Sequence, residues 1–156
     1  SGVDPIGRRR FWELLSRLAR EEGVAILITT HYLSEAEHCD RLALMYAGRI
    51  VAEGTPAHLK KQVERDIGQL VEMVVDKPGI ALAHVVAAGF AGAALFGTKI
   101  HVLSRDPGRD EGRLRDVLAR SGIAVGSVRT RMLSLEDVFV SRVMALEQAA
   151  QKEVSA

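Results

Sequence analysis

The chain has 156 residues, with 21 Lys and Arg against 20 Asp and Glu, a formal net charge of +1. This length suits one domain or two small ones, and the balanced charge gives no reason to expect nucleic acid as the main partner. A single cysteine, Cys39, excludes an internal disulfide and fits a reducing compartment. The polar, Arg-rich N-terminus carries no apolar stretch of the signal-peptide kind.

Two residues mark the start of the first predicted helix. Asp4 supplies a side-chain acceptor at the N-cap, and Pro5 follows where a missing N–H costs nothing. Apolar residues then recur at helical spacing as far as Gly23, which is placed to end the helix. Residues 24–28 are continuously apolar, which predicts a short strand of a parallel sheet, buried on both faces.

A loop with Thr29, Thr30 and His31 follows this predicted strand and leads into a short helix over residues 34–38. Ligands of open α/β sheets bind at the carboxyl ends of strands, so His31 falls where a ligand is expected. A surface or capping histidine is the alternative interpretation.

Residues 41–66 predict two strands around the turn Ala47-Gly48, then a helix that Thr55-Pro56 opens and that ends near residue 65. Beyond residue 66 the pattern changes to the order β-α-β-β-α-β, which is the ferredoxin-like order. The predicted strands are 69–75, 94–96, 99–104 and 123–131, with helices over 80–90 and after 112.

Residues 80–96 are apolar enough to require a comparison with a membrane span, which needs roughly 20 residues. They consist mostly of Ala and Gly and include His84, so a buried helix and a short strand are expected instead. Ser134 is expected to cap a last helix with two acidic residues in its first turn, and the chain beyond Glu147 is expected to fray.

His38, Cys39 and Asp40 are metal-ligand types, but adjacent residues on one short helix cannot all face one ion. No second cluster stands at ligand spacing. We therefore expect no metal site here and interpret Cys39 as a small, partly buried residue.

Four segments, in this order, resemble the ATP-binding subunits of ABC transporters of the export-type, drug-resistance-like branch. Residues 1–4 are similar to the D-loop of that family, and residues 29–37 to its H-loop. Residues 40–56 resemble its hairpin and following helix, and residues 135–139 a segment near its end. Gly2 stands where the family more often has alanine.

The resemblance implies the C-terminal portion of such a subunit. No G-x-x-x-x-G-K-[ST] loop (Walker A), no family signature and no strand ending in Asp-Glu (Walker B) occurs in the sequence, and we expect them upstream in a longer parent. The implied fold class is α/β. Residues 1–66 would be the C-terminal part of a P-loop, RecA-like ATPase domain, and residues 67–156 an accessory α+β, ferredoxin-like module with a C-terminal helix.

Site roles also follow from the resemblance. His31 would position the γ-phosphate of ATP and the attacking water. Ser1, Gly2 and Asp4 would couple the two nucleotide sites across a dimer, while Asp4 also caps its helix. ATP and Mg²⁺ would be cofactors of the intact parent, and this chain alone is expected to bind neither and to hydrolyse no ATP.

The implied function is ATP-driven export across a membrane. The implied partners are a second ATPase subunit, as a homodimer or tandem copy, and transmembrane permease subunits, with no transmembrane segment in this chain. The implied location is cytoplasmic, peripheral at the inner face of the membrane. One alternative is a regulatory or dimerisation module over residues 67–156 that binds a ligand or partner. A minor alternative is a soluble, non-transport ABC ATPase.

Isolated from its parent sheet, residues 1–66 are expected to expose apolar surface.

Overall fold

The structure is a computed structural model that describes residues 4–154, except for the side chains of Pro5 and residues 152–154. The chain divides into two compact units between His38 and Cys39. The domain boundary expected between residues 66 and 67 stays a prediction.

The first unit contains a long helix, α1 (Pro5–Glu21), and a single turn of helix, α2 (Leu33–Ala36). Asp4 caps α1, because its Oδ1 accepts hydrogen bonds from the backbone N–H groups of Ile6 and Gly7 at 2.8 and 2.9 Å. After the helix, Gly23 adopts a left-handed φ of +68°, a conformation that is easy for glycine. Both ends of the first predicted helix are therefore confirmed.

The buried strand predicted over residues 24–28 is wrong for this chain. The segment forms no strand, and residues 24–27 are exposed, with Val24 at 45%, Ile26 at 37% and Leu27 at 97% of full exposure. A strand needs neighbours that pair with its N–H and C=O groups, and both sheets between residues 4 and 154 form from other segments. The expected exposure of apolar surface is confirmed, since Ile6 and Phe11 are also exposed.

The second unit begins with the predicted hairpin and helix. Strands β1 (Leu42–Tyr46) and β2 (Arg49–Gly54) pair antiparallel, and α3 (Pro56–Asp66) follows. The hairpin turn uses positive φ at Ala47 and Gly48, which suits the twist of a two-residue connection. Thr55 caps α3 by accepting a hydrogen bond from the N–H of His58 at 3.1 Å.

A four-stranded sheet forms the rest of the second unit, with its strands in the order β4-β5-β3-β6 and all neighbours antiparallel. Two helices separate its strands, and a long helix ends the chain. The elements are β3 (Gln69–Val75), α4 (Pro78–Ala87), β4 (Ala94–Phe96), β5 (Lys99–Ser104), α5 (Pro107–Arg120), β6 (Val125–Arg131) and α6 (Leu135–Val154).

The core lies between one face of this sheet and the helices α4 and α5. Alternate residues of β3 and β5 point into it, because successive side chains of a strand face opposite sides. The buried core residues include Val71, Met73, Ile100, Val102, Val85, Leu114 and Leu118. The other face of β3 carries Leu70 and Glu72, both buried.

The last helix extends further than expected. The sequence predicts fraying beyond Glu147, but α6 continues to Val154. Alanine and glutamine are good helix formers, and this part of the chain contains several. Glu147 also accepts a hydrogen bond from the hydroxyl of Tyr46 at 2.7 Å, which attaches α6 to the hairpin.

Residues 80–96 lie in α4, a loop and β4, which confirms a helix followed by a short strand. The helix is not buried as expected, because only Ala81 and Val85 are buried while Ile80 and Val86 are 58% and 42% exposed. In the part of the chain that the structure describes, no helix combines the length and apolar character that a membrane crossing requires.

Gly68 joins α3 to β3 at a point where only glycine fits. Its φ is +131°, and an added Cβ would lie 2.2 Å from the backbone oxygen of Ser104. We predict that Gly68→Ala lowers the free energy of unfolding by more than about 2 kcal/mol, measured by urea denaturation. In the matched control Gly79→Ala, the new Cβ meets nothing within 4 Å on α4, and a gain of about 0.5–1 kcal/mol is expected. Equal effects of the two substitutions would contradict this account of the junction.

Candidate functional site

The structure describes only part of the D-loop-like segment, residues 1–4. Ser1 and Gly2 lie outside the described residues, whereas Asp4 is exposed and caps α1. The capping function of Asp4 is confirmed. Its coupling role, and those of Ser1 and Gly2, stay predictions.

His31 lies in the loop between the extended residues 24–28 and α2. Thr30 organises this loop: its hydroxyl donates to Oε2 of Glu35 at 2.9 Å and accepts from the N–H of Tyr32 at 3.0 Å. Arg8 of α1 approaches the other oxygen of Glu35 at 4.0 Å. The imidazole of His31 is exposed, with its ring centroid 4.1 Å from that of Tyr32. The loop therefore presents His31 to solvent, and its role toward ATP stays a prediction.

Of the three adjacent residues considered as metal ligands, His38 and Cys39 have other contacts. The ring of His38 lies against Trp12, with centroids 5.0 Å apart. Cys39 is partly buried, as expected, and burial together with the charge of Asp40 raises the pKa of its thiol. The absence of a metal site stays a prediction.

Sequence reasoning missed a cluster of charges on the face of the sheet that turns away from α4 and α5. Its centre is a carboxylate in the middle strand, and its other members come from β5, β6 and α6. We call this the Glu72 cluster; its members are Glu72, Lys99, His101, Arg129, Arg131 and Asp137.

The Glu72 carboxylate is 1% exposed and is surrounded by cations. Its Oε2 accepts a hydrogen bond from Nη1 of Arg131 at 2.6 Å, while Nζ of Lys99 lies 3.2 Å and Nε of Arg129 lies 3.4 Å from its Oε1. Burial by itself raises the pKa of Glu72. The hydrogen bond from Arg131, the contacts with Lys99 and His101 and the charge of Arg131 outweigh burial and lower that pKa from 4.5 to about 2.

His101 connects this carboxylate to α6. Its Nδ1 lies 2.6 Å from Oδ1 of Asp137 and its Nε2 lies 3.3 Å from Oε2 of Glu72. Both ring nitrogens therefore face carboxylate oxygens, and the ring bridges Glu72 and Asp137. The ring of Phe96 stacks on it with centroids 4.2 Å apart.

Asp137, which contacts His101, also caps the start of α6. Its Oδ2 accepts from the N–H and the hydroxyl of Ser134, and its own N–H donates to the Ser134 hydroxyl oxygen, a reciprocal cap that confirms Ser134 as the start of the helix. Burial raises the pKa of Asp137, but its bonds with His101 and Ser134 lower it by more, so that it lies below its ordinary value.

A signal for the Glu72 cluster is present in the sequence, but it is weak. Lys99 and His101 stand two residues apart on one strand, and so do Arg129 and Arg131 on another. Period-two charges share one face of a strand. The sequence does not show that both pairs flank Glu72, because that depends on the register of three strands.

The lowered pKa of Glu72 has a consequence for stability. Its ion pairs contribute fully above pH 4.5, the ordinary value, and are lost as the pH falls through the folded value of about 2. We predict that the free energy of unfolding falls over this window and that Glu72→Gln removes part of the fall, as measured by denaturation at a series of pH values. Glu64→Gln on the exposed side of α3 is the matched control and should leave the pH profile unchanged. Identical profiles for the wild type and Glu72→Gln would contradict the assignment.

Comparison with known proteins gives a consistent set of relatives. No protein-family model matches the chain. Over 66 residues, 42% of this chain, it is 48% identical to the probable multidrug ABC transporter ATP-binding protein YbhF of Escherichia coli. Over 142 residues, 90% of this chain, it is 34% identical to the Nod factor export ATP-binding protein I of a Rhizobium species. Over 76 residues it is 37% identical to the energy-coupling factor transporter ATP-binding protein EcfA1 of Caldanaerobacter subterraneus.

The matched stretches cover 11%, 43% and 27% of these three relatives, so the chain spans less than half the length of each. The match to the Nod factor export protein reaches well beyond the hairpin into the second sheet, since it covers 90% of the chain. The resemblance seen in the sequence is therefore confirmed: this chain is a relative of the ATP-binding proteins of ABC transporters.

Proposed function

We propose that this chain is the C-terminal part of a subunit that binds and hydrolyses ATP to drive export through an ABC transporter. The observation that carries the proposal is the alignment over 142 residues, at 34% identity, with a protein named for the export of Nod factor. A second relative is named for multidrug transport. The exposed His31 at the end of an apolar segment supports the same function.

Of the residues in this chain, we place only His31 at the terminal phosphate of ATP. An exposed imidazole on a loop held by Thr30 and Glu35 can donate a hydrogen bond to a γ-phosphoryl oxygen and orient the attacking water. ATP with Mg²⁺ supplies the phosphoryl group in the intact parent. The donor set here fits only one side of that ligand, because the sequence has no G-x-x-x-x-G-K-[ST] loop to hold the β- and γ-phosphates.

Residues 24–28 are the strand that aligns His31 in the parent. Their exposed apolar side chains are suited to burial between neighbouring strands of a parallel sheet, which would complete the P-loop, RecA-like part of the fold. For residues 67–156 we propose a ferredoxin-like module. The order β4-β5-β3-β6, with a helix after β3 and another after β5, supports that assignment.

The proposed partners are a second ATPase subunit, which Ser1, Gly2 and Asp4 would approach, and membrane permease subunits. Such an assembly places the chain in the cytoplasm at the inner face of the membrane. The exposed position of Asp4 at the start of α1 supports an approach from another subunit.

The role of His31 can be tested in the full-length parent. We predict that His31→Ala lowers ATP turnover by about 100-fold or more while ATP binding is retained, because the imidazole acts on the reacting phosphate rather than on nucleotide affinity. Turnover is measured by phosphate release, and binding by equilibrium titration. His84→Ala, an exposed histidine on α4, is the matched control and should leave both unchanged. Normal turnover in His31→Ala would remove this residue from the mechanism.

A second test compares ATP binding by this chain with ATP binding by the full-length parent. We predict that isothermal titration of residues 1–156 with Mg-ATP shows no micromolar binding, since the backbone N–H groups and lysine of a phosphate loop are not in the sequence. The full-length parent, titrated in the same buffer, should bind. Micromolar binding by residues 1–156 would show that this chain holds the phosphates by itself.

A further inference from the structure

Three basic side chains of the Glu72 cluster form a partly exposed rim on the face of the sheet that turns away from α4 and α5. We call Lys99, Arg129 and Arg131 the basic rim; their side chains are 37%, 61% and 50% exposed. The strand register brings them together, because Lys99 pairs with Val74, Arg129 with Glu72 and Arg131 with Leu70. The helices α4 and α5 cover the opposite face of the sheet.

The charges of the cluster do not cancel. The basic rim contributes three positive charges. Glu72 and Asp137 contribute the two negative charges. These five side chains therefore carry a surplus of one positive charge, and all three cations reach solvent.

The buried Glu72 carboxylate does not need all three cations of the basic rim for its neutralisation. Arg131, at 2.6 Å, already gives the buried carboxylate a short charged hydrogen bond. Adding Lys99 and Arg129 brings like charges together and orders two long side chains, which has a cost in free energy. A further anion on the outer side would offset that cost.

We propose that the basic rim binds an anion that carries a phosphate group. A phosphate monoester has a charge of about −2 near neutral pH, so it is attracted to this positive surplus. The guanidinium groups of Arg129 and Arg131 present planar forks of donors that fit phosphate oxygens, and the ammonium of Lys99 adds a point charge. This inference concerns a site separate from His31 and does not rest on the transporter function.

Two sources of such a group are distinguished by experiment: a free phosphate or small phosphate ester, and a phospholipid headgroup. The full chain, labelled with ¹⁵N, is titrated with inorganic phosphate at low ionic strength, and the Arg Nε–H signals are followed by NMR. In a second arm, sedimentation with vesicles of phosphatidylcholine is compared with vesicles that also contain phosphatidic acid.

The expected result in the first arm is a saturable shift of the Arg129 and Arg131 signals, with a dissociation constant of about 1 mM or lower. Arg129→Gln should weaken this binding about threefold to tenfold, because one charged donor is lost. Glu72→Gln should strengthen it, because a nearby negative charge is removed. Added salt should weaken binding in the wild type.

Arg109→Gln is the matched control, since Arg109 is exposed on α5, across the sheet from the basic rim. It removes the same charge and should leave affinity unchanged, and circular dichroism checks that each variant folds. Binding only to vesicles with phosphatidic acid, lost in Arg129→Gln, would support the site with a lipid as its ligand. The proposal is overturned if neither phosphate nor phosphatidic acid binds, or if Arg109→Gln weakens binding as much as Arg129→Gln does.

Discussion

A β-strand is stable only where a neighbour pairs with its N–H and C=O groups, and residues 24–28 have an apolar sequence without such a neighbour among the described residues. The first unit is shaped by this constraint. Leu27 is almost fully exposed, and the loop that carries His31 follows a segment anchored to no sheet. The local contacts of Thr30, Glu35 and Tyr32 give that loop its form.

In the second unit, by contrast, the strands pair with one another. Every strand from β3 to β6 has a partner, and one face of the sheet is closed by α4 and α5. On the other face, Glu72 is buried among cations, and His101 connects it to Asp137 at the start of α6. Because Tyr46 contacts Glu147 near the other end of α6, the same helix connects the sheet to the hairpin. This unit therefore contains paired strands and a closed core, whereas no strand forms among the described residues of the first unit.

The sequence predicted the local features well. The caps at Asp4, Thr55 and Ser134 each depend on contacts within three residues, so the residues that make them are visible in the sequence. The hairpin turn at Ala47-Gly48 is local in the same way. The order of the strands and helices followed from alternation and helical spacing.

Two features could not be read from the sequence. Burial of residues 24–28 was predicted from their apolar character, but burial depends on partners that the described chain does not provide. In the Glu72 cluster, Glu72 contacts His101, 29 positions away in the sequence, and Arg131, 59 positions away. These contacts depend on the register of three strands. A shift of one residue in a strand would turn its charges to the other face. Long-range register is the information that a single sequence lacks.

The central proposal is that residues 24–28 pair as a strand, and so align His31, within a longer protein. Hydrogen–deuterium exchange of these backbone amides, measured in residues 1–156 and in the full-length parent, tests it most directly. The account predicts rapid exchange in residues 1–156 and strong protection in the parent. Equal exchange rates in the two proteins would contradict it.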